Sequence, residues 1–426
     1  MLTIFEIAAL LLAFSAFFGW FNHVVIKLPH TIGLLVMALG ASLLLLVIDN
    51  FFPELGVTST MQSIIGQIDF YATVMEGMLA FLLFAGALHV DYEFLKDQKW
   101  AIGVLATVGV LISTTIIGFG FWYLSGLFGI QIPLMWALVF GALISPTDPV
   151  AVLSLLKSVN VPHSLEAKIA GESLFNDGVG VVVFTILLTI AGGSAVAGHG
   201  GGEDVIDAYK IAELFFVEAG GGIVLGLITG WIAYRAMAAI DQYTLEILIT
   251  LGVVAATYAI AIRLHISGPI AVVVTGLLVG NRGARIGMSD VTRKHLFGFW
   301  ELIDEILNSV LFLLIGLEII ILTLDPSMGW LALACIPLAL LGRVMAVSVP
   351  ILSLSKLLVF TKGTIPVLTW GGLRGGISVA LALSLPDNDY KPMILAATYA
   401  VVLFSVIIQG MTVKAVISRS VDPSLL

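Results

Sequence analysis

Charge is scarce in this sequence. Asp, Glu, Lys and Arg make up 11% of its 426 residues, against about 25% in a soluble domain. Hydrophobic residues make up 59%, and mean hydropathy is +1.11. That balance excludes an ordinary soluble fold. Apolar runs of about 18 or more residues recur along the whole length, so the chain reads as a polytopic membrane protein embedded in a lipid bilayer. Cysteine is nearly absent. Cys335, the single one, excludes an intrachain disulfide and reads as lipid-facing or packed filler. A net charge of −9 excludes nucleic acid as a partner. No Lys or Arg precedes the first apolar run, which carries Glu6. A cleavable signal peptide has a positive leader, so this segment reads as a retained span. His-Glu-x-x-His and Gly-x-Ser-x-Gly are both missing, and "RGARIG" lacks the strand context of a nucleotide fold. No enzyme and no cofactor is expected.

What remains is organised by hydropathy. Thirteen spans are predicted at about 3–22, 28–48, 68–90, 100–124, 133–157, 167–192, 211–235, 243–263, 267–281, 296–323, 329–355, 364–385 and 392–417. The longest polar connection is "GGSAVAGHGGGEDVID" at 192–207. Basic residues test the count through the positive-inside rule. Loops after odd-numbered spans, with the tail, hold 14 Lys and Arg, from Lys27 to Arg419. Loops after even-numbered spans hold 3: Lys210, Arg263 and Lys391. Arg343 and Arg374, inside spans, complete the 19. This asymmetry puts the N-terminus outside and the C-terminus in the cytoplasm. Thirteen spans divide as six, one and six, so matching spans have opposite orientation: two inverted six-helix repeats.

The fifth and twelfth spans, in corresponding places of the two halves, are both interrupted. "GALISPTDPVAVL" in the fifth contains Pro146 and Pro149, each of which removes a backbone donor and disfavours helix at the residue before it. The helix is expected to open at Ser145–Asp148, with Asp148 capping a second half-helix and Pro149 in its first turn. Freed carbonyls and the Thr147 hydroxyl are expected to face a cation at mid-depth. "WGGLRGGISVALAL" in the twelfth surrounds Arg374 with glycines and is expected to unwind too. Asp148 and Arg374 would offset the dipole ends of the two broken helices. Paired interruptions of this kind mark a transporter's binding site.

"AGESLFNDGVGVVVF" opens the sixth span with Glu172, Ser173, Asn176 and Asp177. Residues four apart share a helix face, which pairs Ser173 with Asp177 and Glu172 with Asn176. Glu172 and Asp177 lie about 140° apart around the axis and serve different ends. An unpaired charge at bilayer depth costs about 2.5–3.5 kcal/mol on insertion scales. Arg343, in "LLGRVMAV" of the eleventh span, has no local acid and is the expected ion-pair partner of Glu172. Asp177 is then the spare carboxylate, read as an ion or proton carrier. Glu301, Asp304 and Glu305 are expected to begin the tenth span, either lining a cytosolic funnel or as a solvated helix end. Glu76, Glu246 and Glu318 are read as mostly structural.

With "SPTDPVAV", "GESLFNDGVG", "LLGRVMAV" and "GGLRGGISVALALSLP" in this order, the sequence resembles sodium–proton exchangers of the NhaP type, the electroneutral branch of the cation:proton antiporters. The resemblance covers nearly all of the chain. It implies an all-α antiporter fold with two crossing broken helices, in a cell (inner) membrane, assembled as a homodimer. It implies scaffold helices within 1–95 and 196–325 and a mobile core within 96–195 and 326–426. By motif, Asp177 binds Na⁺ or H⁺, Ser173 and Thr147 supply neutral oxygen ligands to Na⁺, and Asn176 supports the site. Glu172 pairs with Arg343, and Asp148 and Arg374 belong to the crossing. One position departs from the pattern: "LFAGAL" has Ala85 where many relatives have an acid, which exposes ion selectivity to change.

The expected function is exchange of Na⁺ (or Li⁺) for H⁺ by alternating access, the two ions competing for one carboxylate. An Asn–Asp pair offers one titrating site and suggests 1:1, electroneutral exchange. A K⁺/H⁺ exchanger using the same residues and a cation channel are the competing readings.

Overall fold

The computed structural model describes residues 3–53, 56–148, 163–192, 208–281, 283, 288–320, 326–356, 358, 360 and 363–420. Helix dominates and no strand is formed among them; the sole β-type pairing is an isolated bridge between Asp148 and Leu373. Each of the thirteen predicted spans falls on a helix. In order these are Ile4–Phe21, His30–Phe51, Leu79–His89, Val110–Leu127, Leu134–Ile144, His163–Gly192, Ala208–Met237, Tyr243–Arg263, Gly268–Leu278, Asp290–Glu318, Pro326–Leu354, the divided twelfth (Thr364–Trp370 and Gly376–Leu383), and Lys391–Leu403 with its continuation Gly410–Ser420. Among the described residues, nine helices are long and apolar enough to cross a membrane by themselves.

Several boundaries move for physical reasons. The ninth helix, short and opening on Ser267-Gly268-Pro269, is a real helix: the Ser267 hydroxyl accepts from the Ile270 N–H and Pro269 occupies the first turn, where its missing N–H costs nothing. The tenth begins earlier than hydropathy suggests. Ser289 caps it by accepting from the Thr292 N–H, so Glu301, Asp304 and Glu305 lie inside the helix rather than at its start. The third span is two pieces, a π-helical turn at Ala72–Met78 leading into Leu79–His89. Lys168, counted above with the cytoplasmic loops, is instead a buried helical residue whose amine lies 5.0 Å from the centre of the Phe360 ring. Glu246 and Glu318 are buried, whereas Glu76 is exposed. Cys335 is fully buried, which selects packing over lipid contact. The predicted second half of the fifth span, with Pro149, and the connection at 193–207 lie outside the described residues.

Lipid tails are as apolar as leucine, so helices in a bilayer are held by close packing more than by apolar burial. Gly222, Gly226 and Gly230, at four-residue spacing on the seventh helix, put a bare ridge against the ninth. A methyl group at Gly222 would meet the Ser267 carbonyl at 2.7 Å, and one at Gly230 the Leu278 Cβ at 3.0 Å. The helices sort into two packed groups. The second, third, seventh, ninth and tenth pack mainly on one another, as do the fourth, fifth, sixth, eleventh and thirteenth. The two broken segments meet within the second group.

Candidate functional site

Helix ends leave backbone groups without partners, and inside a bilayer those groups must be satisfied by protein. The fifth helix ends at Ile144, where Ser145 and Pro146 interrupt the ladder. Across from it, the first half of the twelfth helix ends at Trp370 and the second begins at Gly376. The two gaps cross and satisfy one another. The Asp148 N–H donates to the Leu373 carbonyl at 2.7 Å. Arg374 reaches back with Nη1, donating to the Pro146 carbonyl at 2.9 Å and to the Ser145 carbonyl. Its own N–H donates to the Ser405 hydroxyl at 2.8 Å. No atom beyond the backbone fits between the strands at one point, since a Cβ on Gly375 would lie 2.7 Å from the Asp148 Cβ and 2.9 Å from its carboxyl carbon.

One expectation is narrowed. Two carbonyls at the fifth-helix break, those of Ser145 and Pro146, are taken by the Arg374 guanidinium. A cationic side chain five donors wide is a better match to two adjacent carbonyls than solvent or a shared ion would be in a dry interior.

On the sixth helix Glu172, Ser173, Asn176 and Asp177 are all buried, within little more than a turn. Asn176 spans the gap to the broken fifth helix. Its Oδ1 accepts from the Thr147 N–H at 3.2 Å and its Nδ2 donates to the Thr147 hydroxyl at 2.7 Å. The same Nδ2 donates to Glu172 Oε1 at 3.0 Å. Thr147 Oγ1 and Ser173 Oγ are 3.0 Å apart. Glu172 is held in turn by both terminal nitrogens of Arg343, at 2.6 and 2.7 Å, and Arg343 spends Nε and Nη2 on the Leu368 carbonyl. A continuous chain of hydrogen bonds therefore runs from the twelfth helix through Arg343, Glu172 and Asn176 to Thr147 and Ser173.

Asp177 stands apart from that chain. It is 2% exposed, and its Oδ1 is buried with no hydrogen-bond partner. Glu172, Ser173 and Asn176 on the same helix are each spent on another protein group, while this oxygen is not. Among the described residues no cluster of three or more His, Cys, Asp and Glu side chains is arranged to hold a metal ion.

Ala85 is buried on the third helix. Its neighbour Gly86 faces the sixth helix, where an added Cβ would lie 3.3 Å from Leu174 Cδ2. The departure from the family pattern thus sits one residue from the contact that flanks Ser173. Glu76 is exposed on the Ala72–Met78 turn. Sequence reasoning missed Ser405 and the Leu368 carbonyl, both of which hold an arginine. Neither has a local signature, because each is recruited from a helix far along the chain.

The sequence matches the family described as "Sodium/hydrogen exchanger, transmembrane" over residues 9–419. It is 45% identical to the Na(+)/H(+) antiporter NhaP of Pseudomonas aeruginosa, covering 97% of this chain and 96% of that one. It is 36% identical to the Na(+)/H(+) antiporter NhaH of Halobacillus dabanensis, covering 92% of each. The fold is like that of the sodium proton antiporter MjNhaP1 of Methanocaldococcus jannaschii, with a TM-score of 0.73, 20% identity and 97% of each chain covered.

Proposed function

The chain belongs to the sodium/hydrogen exchanger family, and on that premise we propose that Asp177 is the carboxylate through which it exchanges Na⁺ for H⁺ across a membrane. The observation that carries this reading is the Asp177 Oδ1 itself, buried and without a hydrogen-bond partner beside a sixth-helix network in which Glu172, Ser173 and Asn176 each have one. A bare carboxylate in such a place is costly, on the order of 2.5–3.5 kcal/mol by insertion scales. Either a proton or a monovalent cation removes that cost, and one position cannot hold both. Na⁺ entering displaces H⁺, and H⁺ entering displaces Na⁺.

Thr147 and Ser173 supply hydroxyl oxygens to the cation, giving up their mutual contact to do so. Asn176 keeps Thr147 in place, and Glu172 with Arg343 holds the sixth helix to the eleventh and twelfth. Arg374 and Asp148 fix the crossing of the broken helices. The protein's part is alternating access: a core within 96–195 and 326–426 moves against a scaffold within 1–95 and 196–325. The sorting of helices into two packed groups supports that division. An unloaded core would carry a bare charge through a low-dielectric path, so it stays put and exchange is obligatory. With one titrating site the exchange is 1:1 and electroneutral. The chain works as a homodimer in the cell membrane, with its N-terminus outside and its C-terminus in the cytoplasm, and transports ions rather than catalysing a reaction. Na⁺ and H⁺ are cargo, and no resident cofactor is required.

Proteoliposomes test the assignment. A Na⁺ pulse should drive proton movement with the wild-type protein and none with Asp177→Asn, while both proteins show the same unfolding temperature within a few degrees. Persistent Na⁺-driven proton movement in a folded Asp177→Asn protein removes Asp177 from the role.

A further inference from the structure

Between Trp370 and Gly376 the twelfth helix is unwound, and the backbone there depends on partners from elsewhere. Leu373 and Arg374 grip the fifth-helix break on both sides of Thr147. The Leu373 carbonyl accepts from the Asp148 N–H at 2.7 Å, and Arg374 Nη1 donates to the Pro146 carbonyl at 2.9 Å. Thr147 is thereby held from both neighbours, with its hydroxyl 3.0 Å from that of Ser173. The thirteenth helix holds the gripping segment in turn. Its Gln409 Nε2 donates to the Trp370 carbonyl at 3.3 Å and its Thr412 hydroxyl accepts from Trp370 Nε1 at 2.8 Å, both at the end of the first half-helix. Ser405, alone of the three, reaches the unwound residues, where its hydroxyl accepts from the Arg374 N–H at 2.8 Å. Ser405 is 1% exposed and Arg374 3%, so bulk water does not stand ready to replace that bond.

We propose that Ser405 is a positioning residue for ion exchange, acting through Arg374 on Thr147. An N–H in a dry interior has to be met, and Ser405 meets this one from outside the two broken helices. With the bond in place, the Leu373–Arg374 segment is fixed, the Pro146 carbonyl and the Asp148 N–H follow it, and the Thr147 hydroxyl stands where a cation needs an oxygen. A sodium ion depends on that placement because several oxygens must hold it at once. A proton on Asp177 needs one oxygen only. Loss of the Ser405 hydroxyl therefore weakens Na⁺ and leaves the proton as it was. Ser405 lies in the π-helical turn Phe404–Gln409, and such turns recur at functional positions in helices.

The inference rests on the reading of the Asp177 site given above, and the test separates the two. Na⁺-driven proton movement is measured in proteoliposomes across pH for Ser405→Ala, Ser405→Cys, Ser405→Thr, Thr412→Val and Asp177→Asn, beside the unfolding temperature of each. Ser405→Ala removes the acceptor, and Ser405→Cys replaces it with a weak one of nearly the same shape. Both should raise the apparent KM for Na⁺ about tenfold, the scale of one buried group left unmet. The factor should be the same at every pH, with kcat within about twofold of wild type. Ser405→Thr keeps the hydroxyl and should return the KM to within about threefold of wild type. Thr412→Val removes a bond between the same two helices away from the crossing, and should leave the KM within about twofold even where it lowers the unfolding temperature. An unchanged KM in Ser405→Ala, or in Ser405→Cys should Ser405→Ala not fold, overturns the proposal whatever happens to stability. A KM raised equally by Thr412→Val or by Ser405→Thr also overturns it, in favour of general loosening. Loss of exchange in Asp177→Asn alongside a normal Ser405→Ala retires this inference alone; exchange that survives in Asp177→Asn retires the site.

Discussion

The side chain of Asn176 pairs with Thr147 as one peptide group pairs with another, accepting from its N–H and donating to its hydroxyl. It gives the Thr147 N–H an acceptor beyond the point where the fifth helix ends at Ile144. This explains an amide at the position, since a carboxylate can accept but has nothing to give.

Asn176→Asp should therefore be more harmful than its size suggests. It removes the donations to Thr147 and to Glu172 and brings a second carboxylate to where an amide nitrogen lay 3.0 Å from Glu172 Oε1. Each buried group left unmet costs about 1–3 kcal/mol. We expect a lowered unfolding temperature and a weakened apparent affinity for Na⁺, measured by thermal unfolding in detergent and by antiport in vesicles. Wild-type values in both would contradict the assigned pairing.

The Glu172–Arg343 pair is bidentate and buried, and its removal from one side strands the other charge. Arg343→Ala should cost about 3–5 kcal/mol of stability, visible as reduced yield and unfolding temperature. The folded fraction should retain its apparent Na⁺ affinity. Normal stability with altered affinity would move Arg343 from support to the ion path.

Much of this was legible because membrane burial makes polar residues conspicuous. Asp148, Glu172, Asn176, Asp177, Arg343 and Arg374 stand out against apolar runs, and the i, i+4 spacing of the sixth helix separates Glu172 from Asp177 before any coordinates. Prolines at 146 and 149 and the glycines around Arg374 announce the breaks. What the breaks do with their carbonyls was not legible. That Arg374 crosses to the fifth helix, rather than serving its own, depends on how two distant segments pass each other. Lys168 misled for a related reason: hydropathy shows where charge lies along the chain but not that an aromatic ring will cover it. The start of the tenth helix was missed because a cap such as Ser289 acts through one hydroxyl, too little to alter a hydropathy average.

The crossing itself makes a sharp prediction. Gly375→Ala places a methyl group against the Asp148 side chain, 2.7 Å from its Cβ. It should cost about 1–3 kcal/mol, typical of an overpacked site, and abolish transport. Gly126→Ala, whose added Cβ meets nothing within 4 Å, is the matched control and should transport normally. Equal behaviour of the two would mean that the crossing is not held tightly.

Competition at one carboxylate also fixes a pH dependence. As pH falls, protons occupy Asp177 more often and the apparent KM for Na⁺ rises, while saturating Na⁺ restores the same maximal rate. A maximal rate that falls with pH at constant KM would place the protonating group elsewhere.

The most direct test needs no membrane gradient. Titrating Na⁺ into the purified protein in weakly buffered solution, with the released protons counted, reads the exchange at its source. The account predicts about one H⁺ expelled per Na⁺ bound, and none from Asp177→Asn, because linkage requires each ion to weaken the other equally. Na⁺ that binds with wild-type affinity and expels no proton would contradict it.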